Sequence, residues 1–274
     1  MHKDTVNGEL KVLGIDLAKD SFQLHGVGDH GRTVLKKQLK RNKLAAFVAN
    51  LSPCLIGIEA CGGANHWRRV FTRAKHTVRM MAPQFIKPYV KSNKNDAVDA
   101  EAICEAVQRP SMRFVPAKSI AQQDLQSLHR IRSQAVSRRT ALCNPIRGLL
   151  AEYGIVIAKG RTRVRQVIPE ILEDAGNGLS DLFHELLHEL YDEVVHLDER
   201  VAFLEKKIAL ICRDNEDCQR LLRIPGVGPL SATALVAAVG DITVFKNGRE
   251  LATWLGLVPR QHSTGGKPTL LGIS

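Results

Sequence analysis

Three segments near the start of the chain carry the short apolar or alternating patterns of β-strands: Lys11–Ala18 (KVLGIDLA), Ser21–Gly28 (SFQLHGVG) and Arg32–Leu39 (RTVLKKQL). Gly28, Asp29 and Gly31 mark turns between them, so the pattern predicts an antiparallel meander. The pattern then alternates. Asn42–Leu51 reads as a helix, Leu55–Glu59 (LIGIE) as a strand buried on both faces, Asn65–Lys75 as a helix and Thr77–Ala82 as a fifth strand. Asn95–Val107 has apolar residues at helical spacing.

Beyond this the period becomes purely helical. Ala117–Leu150 repeats apolar positions at Leu125, Leu128, Ile131, Ala135, Leu142, Ile146 and Leu149, with Pro145 expected to kink the helix. A second helix has a heptad-like seam through Leu179, Leu182, Leu186, Leu190, Val194, Leu197, Val201, Leu204, Ile208 and Ile211. Steps of three and four over that length predict a coiled coil or long helical hairpin. The stretch between them, Gly154–Gly178, is poorly patterned and reads as a connection. Leu221–Ile224, the turn Pro225-Gly226-Val227-Gly228-Pro229 and Leu230–Val239 read as helix, tight turn, helix. The predicted domains are 1–112 (α/β), 113–213 (a helical, coiled-coil arm) and 214–274 (mainly α). The last stops at Ser274, a few residues into another strand, and is expected to be incomplete.

Charge divides the chain in a similar way. The 274 residues carry 39 Lys and Arg against 28 Asp and Glu, a net +11, but unevenly. Residues 1–110 are +8, 111–170 are +8, 171–220 are −8 and 221–274 are +3. The excess biases the reading toward a polyanion partner. The 44% hydrophobic content excludes a disordered chain, and no apolar run reaches the ~18 residues of a membrane span. Six scattered cysteines with no CxxC pair, and no signal peptide, suit a reduced cytoplasmic protein rather than a disulfide scaffold or zinc ribbon. The acidic block reads first as the solvated face of the arm. Alternatively it steers nucleic acid away, or pairs with the arginine-rich helix of another subunit.

Four carboxylates stand out. Asp16 ends the first strand, Glu59 ends the fourth, and Asp96 and Asp99 share one face at the start of a helix. Three hairpin strands followed by alternating helices and strands is the element order of a ribonuclease H-like domain. In that topology the first and fourth strands are neighbours, and all four acids can converge. Carboxylate oxygens suit Mg²⁺, and paired ions suit in-line displacement at a phosphodiester. An acid interrupting a buried strand also needs a partner or a metal, because an uncompensated buried charge costs several kcal/mol.

The segments GIDLAKDSF, IGIEACGG and KNDAVDAEAI resemble the N-terminal domain of a bacterial insertion-sequence transposase family whose relatives include the Piv DNA invertase. The resemblance continues through the arginine-rich helix, RIPGVGPLSATALVAAVGD and ELATWLGLVPRQHSTGGK, so it covers nearly the whole chain. It implies a RuvC-like domain with an acidic tetrad, here Asp16, Glu59, Asp96 and Asp99, binding Mg²⁺. It also implies a C-terminal transposase domain with a serine nucleophile, here Ser263 just before Gly265-Gly266, with Thr264 as the adjacent register. Members work on element-end and target DNA, with a structured guide RNA, as homo-oligomers, dimer or tetramer. By that resemblance the protein is nucleoid-associated, with no membrane.

By residue chemistry, Arg260, His262 and Lys267 beside the glycines could offset charge developing on a DNA phosphate. Arg130, Arg132, Arg138, Arg139 and Arg147 of the first long helix are the candidate nucleic-acid face. Gly226 and Gly228 are candidates to bind phosphate through a helix-hairpin-helix-like turn, against the plainer reading of a tight interhelical turn. His184-Glu185-Leu186-Leu187-His188 matches the zinc-protease pattern HExxH but lies in an acid-dense helix without a third ligand, and reads as surface. Two other functions compete: a metal-dependent nuclease or junction resolvase using the tetrad alone, and an inactive nucleic-acid-binding remnant.

Overall fold

The computed structural model describes residues 9–90 and 96–273, apart from the side chains of Asp96, Arg260, Ser263, Pro268 and Ile273. Packing divides the chain into two compact units. One contains the segment up to Ala117 together with the segment from Asp241, and the other is Lys118–Gly240.

The first unit is built on strands β1 (Val12–Asp16), β2 (Ser21–Val27), β3 (Thr33–Lys40), β4 (Leu55–Glu59), β5 (Thr77–Met81) and β6 (Phe114–Val115). Their order in the sheet is β3-β2-β1-β4-β5-β6. The meander β1–β3 is antiparallel, β4 and β5 add in parallel beside β1, and β6 closes the edge antiparallel. Helices α1 (Arg41–Ala49) and α2 (Ala64–Arg73) follow β3 and β4, and the short α3 (Pro83–Ile86) follows β5. Helix α4 (Asp96–Ala106) precedes β6. The expected strands and helices of this unit are therefore present within a residue or two of their predicted ends. Up to Val115, α3, β6 and two short 3-10 turns were not foreseen.

Alternation sorts the strand residues onto two faces. Leu13, Ile15, Phe22, Leu24, Ile56 and Ile58 form one core with Leu44, Trp67 and Phe71 of α1 and α2. Val12, Val27 and Met81 form another with Ile103, Cys104 and Val107 on and just after α4. Two glycines permit α4 to lie on that second face. A Cβ on Gly14 would sit 2.3 Å from the Ala100 carbonyl oxygen and 2.5 Å from the Cys104 nitrogen. One on Gly57 would sit 2.8 Å from the Val107 Cβ. The two glycines are register partners on adjacent parallel strands, so together they make a flat seat for the helix.

Burial pushes the Cys104 thiol up to about 12 and the Cys54 thiol up to about 11. Both therefore stay protonated at pH 8, and access is closed as well. In the native chain at that pH, iodoacetamide is expected to leave Cys54 and Cys104 unmodified and to label them only after unfolding. Peptide mapping by mass spectrometry reads this directly. Fast native labelling of Cys104 would contradict the docking of α4.

The second unit pairs two 33-residue helices, α5 (Ile120–Glu152) and α7 (Asp181–Arg213). They run antiparallel, since Arg132 meets Glu205 while Arg139 meets Asp198. Ser119 starts α5 with a reciprocal capping box to Gln122, and the helix continues through Pro145 as one element. Helix α6 (Arg161–Glu173) occupies the stretch expected to be a plain connection. Its buried Val164, Ile168 and Ile171 are spaced four and three apart, the signal that reading passed over.

Helix α6 also corrects the seam of α7. Phe183 and Leu187 are its buried residues before Val194, packed in one core with Ile168 and Ile171. Leu182 and Leu186, placed on the seam by the heptad reading, are 65% and 46% exposed. From Val194 to Ile208 the buried positions are the expected ones. A straight helix drifts about 20° per heptad against a 3.5-residue repeat, and a third helix on one flank selects the neighbouring stripe.

Helices α8 (Glu216–Leu221) and α9 (Pro229–Val239) belong to this unit. Lys118 Nζ donates to the Ala237 and Ala238 carbonyls at 2.6 and 3.1 Å, and His129 Nε2 lies 2.9 Å from Thr233 Oγ1. The segment expected as one C-terminal domain from residue 214 is thus divided at Gly240. After it come α10 (Gly248–Trp254) and the antiparallel pair β7 (Pro259–Thr264) and β8 (Lys267–Ile273), a two-stranded sheet of its own.

Candidate functional site

Asp16 and Glu59 each follow a glycine by two positions, on Gly14-Ile15-Asp16 and Gly57-Ile58-Glu59. Because the strand period is two, each acid lies on the same face as its glycine, the face that carries α4. Gly14 pairs with Gly57 and Ile15 with Ile58, so the acids end neighbouring parallel strands one step beyond the paired register. Both are half-buried.

The direction of α4 supplies the other two acids. Cys104 approaches the Val12 carbonyl, with its Sγ at 3.8 Å, whereas Ala100 sits on Gly14. The helix therefore begins toward the carboxyl ends of β1 and β4. Its first turn holds Asp96 and Asp99, with Asp99 half-buried and adjacent to the residue that touches Gly14. Gly14 precedes Asp16 by two strand steps, about 7 Å. The Asp96 side chain lies outside the described residues. Carboxylates also suit this end of a helix, where the unpaired N–H groups favour negative charge.

A thiol sits among these acids. Cys61 follows Glu59 in the turn leading to α2, where Gly63 takes φ 88°. Its pKa is raised, first by burial and then by the charges of Glu59 and Asp16. The half-buried sulfur contacts the Leu17 carbonyl, one residue past Asp16, at 3.7 Å. Sequence reasoning missed Cys61; its place two residues after a strand-end acid was the available signal.

The donor set is all carboxylate oxygen, the chemistry Mg²⁺ prefers. Among the described residues, no group of three His, Cys, Asp or Glu is drawn close enough to hold a metal. The structure thus brings Asp16, Glu59 and the start of α4 to one end of the sheet.

Ser263 lies on the β7–β8 hairpin, with its backbone paired to Pro268. Thr264 and Lys267 pair across Gly265 and Gly266, which take φ 58° and 79°. Two consecutive positive φ angles make a two-residue hairpin turn of the primed type, which explains two glycines there. Thr264 and Lys267 are exposed, and Thr264 Oγ1 lies 3.4 Å from His262 Nδ1. The side chains of Ser263 and Arg260 lie outside the described residues.

The candidate nucleic-acid arginines separate into two groups. Arg132 Nε donates to Glu205 at 2.9 Å and Arg139 Nη1 donates to Asp198 at 2.8 Å, so these two face α7. Arg130 and Arg138 are exposed, the latter 3.8 Å from Glu193, and Arg147 bonds Asn144. The acidic and basic helices therefore pair within one chain.

At the interhelical turn, Gly226 takes φ 85°, which requires glycine, and Gly228 is the N-cap of α9 without a side-chain cap. His188 of the HExxH stretch is exposed and 3.2 Å from Asp192. Among the described residues, no helix is long and apolar enough to cross a membrane.

The chain is similar to known proteins over most of its length. Residues 13–155 match a family of the DEDD IS110 type described as transposase, and residues 218–274 match the family described as "Transposase IS116/IS110/IS902 family". A protein of Pseudomonas aeruginosa named "Probable family 20 transposase" is 50% identical over 97% of this chain and 79% of its own length. The "Transposase for insertion sequence element IS1111A" of Coxiella burnetii is 47% identical over 97% of this chain and 73% of its own. The "Pilin gene-inverting protein" of Moraxella bovis is 23% identical over 92% and 73%.

Proposed function

Since the chain belongs to the IS116/IS110/IS902 transposase family, whose enzymes cut and rejoin DNA, we propose that it does so with an acidic tetrad and a serine nucleophile. The observation that carries this reading is the register pairing of Gly14-Ile15-Asp16 with Gly57-Ile58-Glu59 beneath the start of α4. That pairing supports a ribonuclease H-like, RuvC-like domain with Asp16, Glu59, Asp96 and Asp99 at one end of its sheet.

These four residues would hold Mg²⁺, which supplies positive charge to a phosphodiester undergoing substitution. Ser263 Oγ attacks phosphorus, forms a serine–phosphate ester and releases a DNA hydroxyl that takes up the proton. The reverse attack by a DNA hydroxyl rejoins the strand and frees the serine. Lys267, with Arg260, offsets charge developing on the phosphate oxygens.

The substrate is insertion-sequence DNA, with a structured RNA from the element's ends as guide. Exposed Arg130 and Arg138 support a polynucleotide surface on α5. Exposed Leu182, Leu186, Phe203 and Leu210 on α7 support a homo-oligomer formed through the helical, coiled-coil arm.

Trapping tests the nucleophile. The chain is incubated with element-end DNA and RNA in Mg²⁺, denatured, and searched for a protein–DNA adduct. An adduct mapping to Ser263, and absent from Ser263→Ala, is the expected result. An adduct on Thr264 would move the nucleophile by one residue. Strand cleavage that persists unchanged in Ser263→Ala would replace the serine mechanism with a nuclease using the tetrad alone.

A further inference from the structure

Asp198 of α7 is shared by three arginines. Arg139 of α5 and Arg161 of α6 reach its Oδ1 at 2.8 and 2.6 Å, and Arg165 of α6 reaches Oδ2 at 3.9 Å. One carboxylate cannot neutralise three guanidinium groups, so the cluster keeps an excess of two positive charges. Its N–H groups are also underused. Arg139 Nε and Arg165 Nη1 are buried without a hydrogen-bond partner. Such groups cost free energy when left unpaired, and few persist without a reason.

The cluster is graded from inside to outside. Arg139 and Asp198 have side chains only 13% and 15% exposed, whereas Arg165 is 37% and Arg161 49% exposed. Arg161 is the first residue of α6, whose N-cap Gly160 offers no side-chain cap and takes φ 117°. The segment leading in, Lys159-Gly160-Arg161-Thr162-Arg163, is basic and exposed and contains no acid. Guanidinium groups bind oxyanions in a planar, two-pronged geometry, and a carboxylate behind them fixes their orientation.

We propose that Arg161 and Arg165, oriented by Asp198 and backed by Arg139, form a phosphate cradle for the backbone of a polynucleotide. This rests on the reading of the chain as a transposase, and adds to it a site on α6 rather than on the arginine-rich α5. The cradle reads charge and not sequence, as backbone contacts do.

The test is salt-dependent binding by fluorescence anisotropy. The full chain is titrated with a labelled duplex DNA and, separately, a labelled single-stranded RNA, between about 50 and 200 mM KCl. Arg161→Gln and Arg165→Gln are each expected to weaken binding. Each should also flatten the log–log salt slope, by about 0.9 on duplex DNA or about 0.7 on the single strand for every phosphate that is no longer neutralised. Weakening on DNA only, RNA only or both names the backbone that uses the cradle.

Arg161→Lys keeps the charge and should retain the slope while losing affinity. Arg220→Gln, a surface arginine paired with Asp217 and Glu216, should change neither. Melting temperatures verify folding, and half-exposed Arg161 remains informative if Arg165→Gln unfolds. Unaltered affinity and slope in both Gln variants, with the unmodified chain still binding, would overturn the cradle alone. No binding by the unmodified chain to either probe would overturn the transposase reading with it.

Discussion

Gly14→Ala is expected to destabilise the chain by about 3 kcal/mol, the upper end of what overpacking costs. That corresponds to a fall in melting temperature of about 6–12 °C for a domain of this size. The new methyl group would meet backbone, at 2.3 Å from the Ala100 oxygen and 2.5 Å from the Cys104 nitrogen. No side-chain rotation relieves that overlap, so α4 must lift from the sheet. Two results should accompany the lower melting temperature. Cys104 should become open to alkylation, and DNA cleavage should fall because Asp96 and Asp99 move with the helix.

Gly57→Ala should cost less, since its closest contact is 2.8 Å, to the Val107 Cβ, against 2.3 Å to a backbone oxygen at Gly14. Gly62→Ala meets nothing within 4 Å and should lie within about 0.5 kcal/mol of the unaltered chain. Thermal denaturation of the three variants orders them. A Gly14→Ala chain that melts with Gly62→Ala would refute the helix–sheet contact and the convergence built on it.

Asp16→Asn and Glu59→Gln are the second pair of strong effects. Each replaces a carboxylate by an amide of the same shape and removes a negative charge. Cleavage of element-end DNA in Mg²⁺ or Mn²⁺ is expected to fall at least about 10³-fold. That is roughly 4 kcal/mol, the scale of charge stabilisation a bound metal supplies. Affinity for DNA should hold or rise slightly, because the variants lose repulsion toward phosphate.

The melting temperature in the absence of metal should hold as well, since each amide keeps the shape of the half-buried carboxylate it replaces. Gel-based cleavage and anisotropy on the same preparations separate the two quantities. Full cleavage by both variants would remove these acids from the chemistry. Loss of binding together with cleavage would assign them to the fold instead.

Much of the first unit could be read directly, because its signals are local. Strand alternation, the turn at Gly28-Asp29-Gly31 and the helical period of 95–107 all lie within a few residues of what they specify. The acids Asp16, Glu59, Asp96 and Asp99 stood out as candidates for the same reason, as charges interrupting or opening apolar elements. Less was read from 154–178, where three basic residues and a proline within α6 obscured the spacing of Val164, Ile168 and Ile171. The hairpin at 259–273 was read only as the beginning of a strand, although its Gly-Gly turn is a strong local mark.

The arginines show the boundary between the two kinds of information. Composition placed a +8 segment before a −8 segment, and helical periodicity placed Arg132 and Arg139 seven residues apart, on one stripe. Neither could say that the stripe faces α7, because that depends on the antiparallel register of two helices joined through a third. The same holds for Gly14 and Gly57. Each was an ordinary glycine in an apolar strand until pairing set them side by side beneath α4. Local order along the chain was enough to set the elements, the acids and the sign of the charge, since these follow from near neighbours. Three-dimensional packing was needed to choose which stripe of α7 is buried, which arginines stay free for a polyanion and which face of the sheet receives the helix. Those outcomes depend on segments tens of residues apart, where sterics and ion pairing choose among registers that local patterns leave equal.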